Sequence, residues 1–153
     1  MKLKITEFIS LMLGALVMGV FWGTWFTLTR SIPDFSVAEF IHIGKTIMNN
    51  VAIPMSIFMP ATLLFMLIAT LLSRRSGSFY LYLISFILML ITLVITVAVE
   101  VPLDNQIRTW TATTAPANWE SIRQKWDSFH ILRTFSSIGS VGFFAWGAIK
   151  RLT

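Results

Sequence analysis

The chain has 153 residues, 56% hydrophobic and 12% charged, with a formal net charge of +5 and no cysteine. A soluble domain of this size cannot hide so much apolar side chain, and the mean hydropathy of +0.76 points to a membrane. The missing cysteines exclude disulfides, thiol-ligated metals and membrane disulfide oxidoreductases, and basic residues that flank apolar segments rather than forming one face argue against a nucleic-acid partner.

Lys2 and Lys4 precede an uncharged run from Phe8 to Thr29. That run is longer than a signal-peptide core and has no clear small-residue cleavage site after it, so a retained span is expected over about residues 7–29. Ala15, Gly19 and Gly23 recur at four-residue steps. Such a groove is expected to receive a neighbouring helix of the bundle, with a homo-oligomer contact as its other use. Trp22, Trp25 and Phe26 near the outer end either join an aromatic belt or line a pocket with Trp126.

Ile32-Pro33-Asp34 predicts a turn, followed from about Val37 by a helix that merges into a second span at 48–73. Pro54 and Pro60 interrupt the hydrogen-bond ladder there. The short Arg74-to-Ser78 connection makes the second span and a third, 78–100, antiparallel neighbours. Pro102 is expected to end the third. After a Thr- and Ala-rich turn through Pro116, a helix restarts with Asn118 as a candidate N-cap and continues into a fourth span, 128–149. Thr134 to Ile149 alone would cover only about 24 Å of a roughly 30 Å hydrocarbon layer. Starting the span at Ser128 completes it and sinks Arg133 roughly 7–8 Å below the boundary.

These elements predict an all-α, integral membrane antiparallel four-helix bundle with two partly helical outer loops, forming a single membrane domain over 1–153. Lys2, Lys4, Arg74, Arg75, Lys150 and Arg151 crowd short segments at one end. By the positive-inside rule that end, with both termini, is expected in the cytoplasm of a cell inner or plasma membrane.

Trp119, Arg123, Trp126, His130, Arg133, Ser137 and Ser140 follow at steps of three or four, which on a helix makes one stripe. An ionisable group inside a bilayer is expensive, so Arg133 is expected to face the bundle interior beside a carboxylate, with Glu100 placed to neutralise it. The competing structural use is a tie from Arg133 to Glu100 or Asp104 across the bundle. A second constellation, Glu39-x-x-His42 with Asp127-x-x-His130, has the spacing of carboxylate–histidine dimetal sites in helical bundles. The first span offers no outer-side carboxylate to complete it, so no metal is expected.

The Gly-rich first span, the Asn-rich approach to a Pro-containing second span, Val101-Pro102-Leu103-Asp104-Asn105, and Trp126-x-x-x-His130-x-x-Arg133-Thr134 together resemble the anthrone-oxygenase-like family of small four-span membrane proteins. Members often carry Asn at the positions of Asp104 and His130. The resemblance implies oxygenation at the activated carbon of a polycyclic phenolic anthrone, with no metal or flavin cofactor. Such chemistry needs a base, a cation for the resulting oxyanion, and an apolar slot for a flat ring system. His130 is the candidate base and Arg133 the candidate oxyanion holder. Trp126 and Trp119 are candidate stacking faces, Asn105 a candidate for orienting the substrate, and Glu100 the counter-ion of Arg133. The expected function is thus a small membrane oxygenase or binder of apolar aromatic, anthrone- or quinone-like molecules, whose partners are membrane lipid and that ligand. The alternative from another class is a non-catalytic accessory subunit that packs through Gly19 and Gly23.

Overall fold

A computed structural model describes residues 2–152. Four long helices form the bundle: α1 (Lys2–Thr27), α2 (Val37–Leu72), α3 (Phe79–Ile95) and α5 (Trp119–Leu152). A short helix α4 (Val101–Arg108) continues α3 through a π-helical turn, Thr96–Glu100. Each long helix packs on two neighbours in a closed ring, α1–α2–α3–α5, with α2 and α3 touching most lightly. The helices alternate in direction, so the termini and the Arg74–Ser78 turn share one end and the two long loops share the other. α1 with its following turn, α2, and α3 with its continuation are long and apolar enough to cross a membrane. α5 begins with a polar half and does not reach that apolarity over a full span.

α2 starts where Ser36 and Glu39 form a capping box, which satisfies two amides that the first helical turn leaves without partners. Pro54 and Pro60 both lie inside α2. Pro102 does not end the third span as expected. A proline lacks the N–H that would bond four residues back, and the chain absorbs this by widening into the π turn just before it, where the Val101 amide reaches Thr96 O. The helix then runs on to Arg108.

Two apolar cores divide the molecule. The larger joins Val17, Phe21, Met55, Met59, Met66, Tyr82, Met89 and Phe144 through the middle of the bundle. The smaller sits at the loop end, where Ile32, Phe40, Ile41, Leu103, Ile107 and Trp110 close over Trp126. Lys45 Nζ donates to Trp110 O at 2.7 Å, and Arg123 donates to Ile32 O at 3.2 Å, fastening both loops to the long helices.

The small residues of α1 are used differently from the expectation. Gly14 packs against Met66 and Val141, whereas a Cβ added at Gly19 or Gly23 would meet nothing within 4 Å, and Ala15 is exposed. The Ala15–Gly19–Gly23 face points out of the bundle because the buried face of α1 runs through Ser10, Gly14, Val17 and Phe21. Close approach of helices occurs instead at Gly147, where an added Cβ would lie 2.8 Å from the Tyr82 ring.

Candidate functional site

α5 carries Trp126, His130 and Arg133 inward toward the loop end, and the spacing of three to four residues stacks them. The Trp126 and His130 rings lie parallel, 5.1 Å apart with an interplanar angle of 4°. The indole is held by its Nε1 donating to Asp104 Oδ1 at 3.0 Å. One turn further on, the Arg133 guanidinium sits 4.7 Å from the centre of the Phe21 ring on α1 and 3.2 Å from Glu100 Oε2. Arg133 is 8% exposed and Glu100 is fully buried. Their contact is an ion pair without hydrogen-bond alignment. Asp104, one turn beyond Glu100, is within electrostatic reach of the same guanidinium.

The histidine is bound in a way that decides its chemistry. Arg133 NH2 and Nε lie 2.8 and 3.2 Å from His130 Nδ1. A guanidinium only donates, so Nδ1 accepts, and the neutral ring carries its proton on Nε2. That nitrogen is buried and makes no hydrogen bond of good geometry, although the Phe21 main chain lies near it. In this arrangement His130 offers a donor. Its basic lone pair is already taken by Arg133, so the role of base expected for it does not fit the geometry.

Beside this cluster lies a cavity of about 410 Å³, within the range of small-molecule sites. Its walls are mostly apolar, among them Phe21, Met55 and Met59, with Thr24, Ser56 and Thr96 interspersed, and its ionisable side chains are gathered with Asn105 on the loop side: Asp104, Arg108, His130 and Arg133. Trp126 also lines it. Of the residues singled out from the sequence, Asn105, Trp126, His130 and Arg133 border the cavity, while Glu100 stands behind Arg133 as its counter-ion. Trp119 does not border it. It packs against Phe40 at 6.1 Å and carries the Arg123 guanidinium on its face at 4.9 Å. Trp22 and Trp25 pack on each other and on Phe26 and Phe135. Asp104, read from the sequence only as a structural tie for Arg133, shares the face of Glu100 at a spacing of four and lines the cavity. Phe21 sits in a uniformly apolar run that gave no signal.

The residues of the metal alternative do not come together as a cluster among the described residues. Glu39 is exposed and engaged by Ser36, His42 is exposed, and His130 is buried in the cluster above. Among the described residues, no three His, Cys, Asp or Glu side chains are grouped to hold a metal ion.

Below Arg133 the stripe becomes packing. Ser137 donates within α5 to Thr134 O at 2.7 Å, while Ser140 donates across to Ser85 O at 2.7 Å and ties α5 to α3.

No curated protein and no solved structure matches the chain. A family model described as anthrone oxygenase matches residues 45–143, from α2 through the Trp126–His130–Arg133 segment of α5, and the chain is a membrane protein of that family.

Proposed function

We propose that the cavity binds a flat apolar aromatic of the anthrone class and that the protein oxygenates it. The single observation that carries this reading is a guanidinium held at the polar end of an otherwise apolar cavity. An anthrone is a ketone with an acidic, doubly benzylic CH₂, and loss of a proton there moves negative charge onto the carbonyl oxygen. Arg133 is positioned to hold that oxygen, and His130 Nδ1, accepting from the guanidinium, helps to fix its orientation. The base is then the Asp104 carboxylate, steadied by Trp126 Nε1. The carbanion gives an electron to O₂ and recombines with it as a hydroperoxide. Loss of water leaves a carbonyl, so CH₂ and O₂ become C=O and H₂O. Trp126, stacked on His130, offers the ring system a face.

The test is oxygen uptake with an anthrone by the purified protein in liposomes, followed together with quinone absorbance. Uptake faster than in protein-free liposomes, lost in Arg133→Gln and Asp104→Asn variants that still fold, is expected. No acceleration by the wild type would refute the reading.

We also propose that the termini are cytoplasmic, on the strength of the basic residues flanking that end. Because the chain lacks cysteine, single Ser76→Cys and Thr113→Cys variants can be probed in intact cells with an impermeant maleimide. Labelling of position 113 alone is expected, and labelling of position 76 alone would invert the topology.

A further inference from the structure

The cavity wall is not continuous. Ala52, Ser56 and Pro60 on α2 line it and are also exposed, as are Val97, Val101 and Asn105 on the opposite side. Each set repeats every four residues, so each makes a column about 12 Å tall. Between the columns lies a seam bounded by α2 on one side and by the π turn and α4 on the other, and α2 barely touches the π turn. The backbone is altered on both sides of it. Pro54 and Pro60 each remove a ladder bond from α2, and the π turn Thr96–Glu100 carries the facing helix. Ser56, the polar member of its column, donates its hydroxyl to Ile53 O at 2.8 Å and so needs no water. Toward the loops, by contrast, the smaller apolar core closes the top of the cavity, and the Lys45–Trp110 bond clamps it.

We propose that the cavity exchanges its ligand sideways with the bilayer, through a doorway between these two columns, and that the ligand is a flat aromatic dissolved in lipid rather than one taken from water. This rests on the reading of the cavity as an aromatic site. The doorway is apolar at Pro60, Val97 and Val101, carries the internally bonded hydroxyl of Ser56 between them, and is polar at Asn105, beside the loop end. A ring system with one carbonyl edge therefore slides in with its polar edge leading toward Arg133. Small side chains on α2 keep the gap open.

The test uses benzophenone, a diaryl ketone that inserts into C–H bonds on irradiation and needs no turnover. It is added to liposomes containing the full chain, irradiated after a series of delays, and labelled peptides are identified by mass spectrometry. Labelling at Met55 and Met59 inside the cavity is expected for the wild type. Ser56→Trp and Val97→Trp fill the doorway from either side and should slow it on the order of tenfold. The milder Ser56→Leu should slow it less, covering the case in which a tryptophan disturbs folding. Ile57→Trp, on a lipid-facing position outside the cavity, should leave it unchanged. Trp110→Ala, which thins the cap, should not speed it. Wild-type rates in all the doorway variants, or acceleration by Trp110→Ala, would overturn the lateral route while leaving the aromatic site standing. No label in the wild-type cavity at any delay would overturn both.

Discussion

Replacing Arg133 by Gln removes the charge but keeps most of the side chain's length, which isolates the electrostatic part of the buried pair. Two unit charges about 4 Å apart attract by about 4 kcal/mol at the effective dielectric that describes protein interiors best. Burial of both ions offsets much of this, so the intact pair contributes little net stability, whereas breaking it costs about 3–5 kcal/mol. The two halves are not equivalent. Arg133 keeps Asp104, the Phe21 face and His130 Nδ1 when Glu100 is neutralised. Glu100 is fully buried, and neither of its oxygens makes a hydrogen bond, so the guanidinium is its evident partner. Arg133→Gln is therefore expected to destabilise by about 3 kcal/mol or more and Glu100→Gln by roughly half as much. The double variant should lose clearly less than the sum, because neither charge is then left alone. Reversible unfolding in mixed micelles against a denaturing detergent measures all three. Equal losses for the two single variants, or strict additivity in the double one, would refute the assignment of Arg133 as the charge on which Glu100 depends.

Gly147→Ala should destabilise by about 1–3 kcal/mol, because the new methyl would sit 2.8 Å from a Tyr82 ring that is fully buried and tied through its hydroxyl to Glu7. Gly142→Ala, with open space around it, should be neutral or slightly stabilising, and thermal unfolding in detergent compares the two. Glu7 also receives both Nε and NH2 of Arg151, so Glu7→Gln weakens the tie between the two terminal helices. A loss of about 1.5–3 kcal/mol with faster proteolysis near residue 151 is expected. Trp126→Phe keeps the stacking ring but leaves Asp104 Oδ1 without its indole donor. It should lower the maximal rate of anthrone oxygenation more than the affinity for the anthrone, and an affinity loss alone would make Trp126 merely a wall.

Much of the architecture was legible because the bilayer imposes it: uncharged runs of more than 20 residues have few alternatives to a spanning helix. Of the stripe, its middle was the informative part. Trp126, His130 and Arg133 share an inward face, and the cost of a buried guanidinium made Glu100 its natural counterpart. What spacing could not give was orientation around the rest of each helix. Trp119 lies on the same stripe yet packs against Phe40 in the first turns of α2, because it stands at the very start of α5, beyond the cavity. Gly19 and Gly23 have the pattern of a helix contact, but the larger buried side chains Val17 and Phe21 turn that face outward. Pro102 was a sound breaker by local rules, but the π turn before it carries the helix on and places Glu100 beside Arg133 of α5, a long-range pairing that local rules do not contain. The tautomer of His130 follows from which of its nitrogens Arg133 meets, a detail no periodicity encodes.

The most direct measurement is the position of a bound ring. Crystals grown with a brominated anthraquinone, the unreactive oxidised relative of an anthrone, allow the bromine to be located by anomalous diffraction. A peak inside the cavity, among Phe21, Met55 and Trp126 with a ketone oxygen toward Arg133, is the expected result. Bromine found solely along the outer, lipid-facing surface, with the cavity filled by protein side chains, would contradict it.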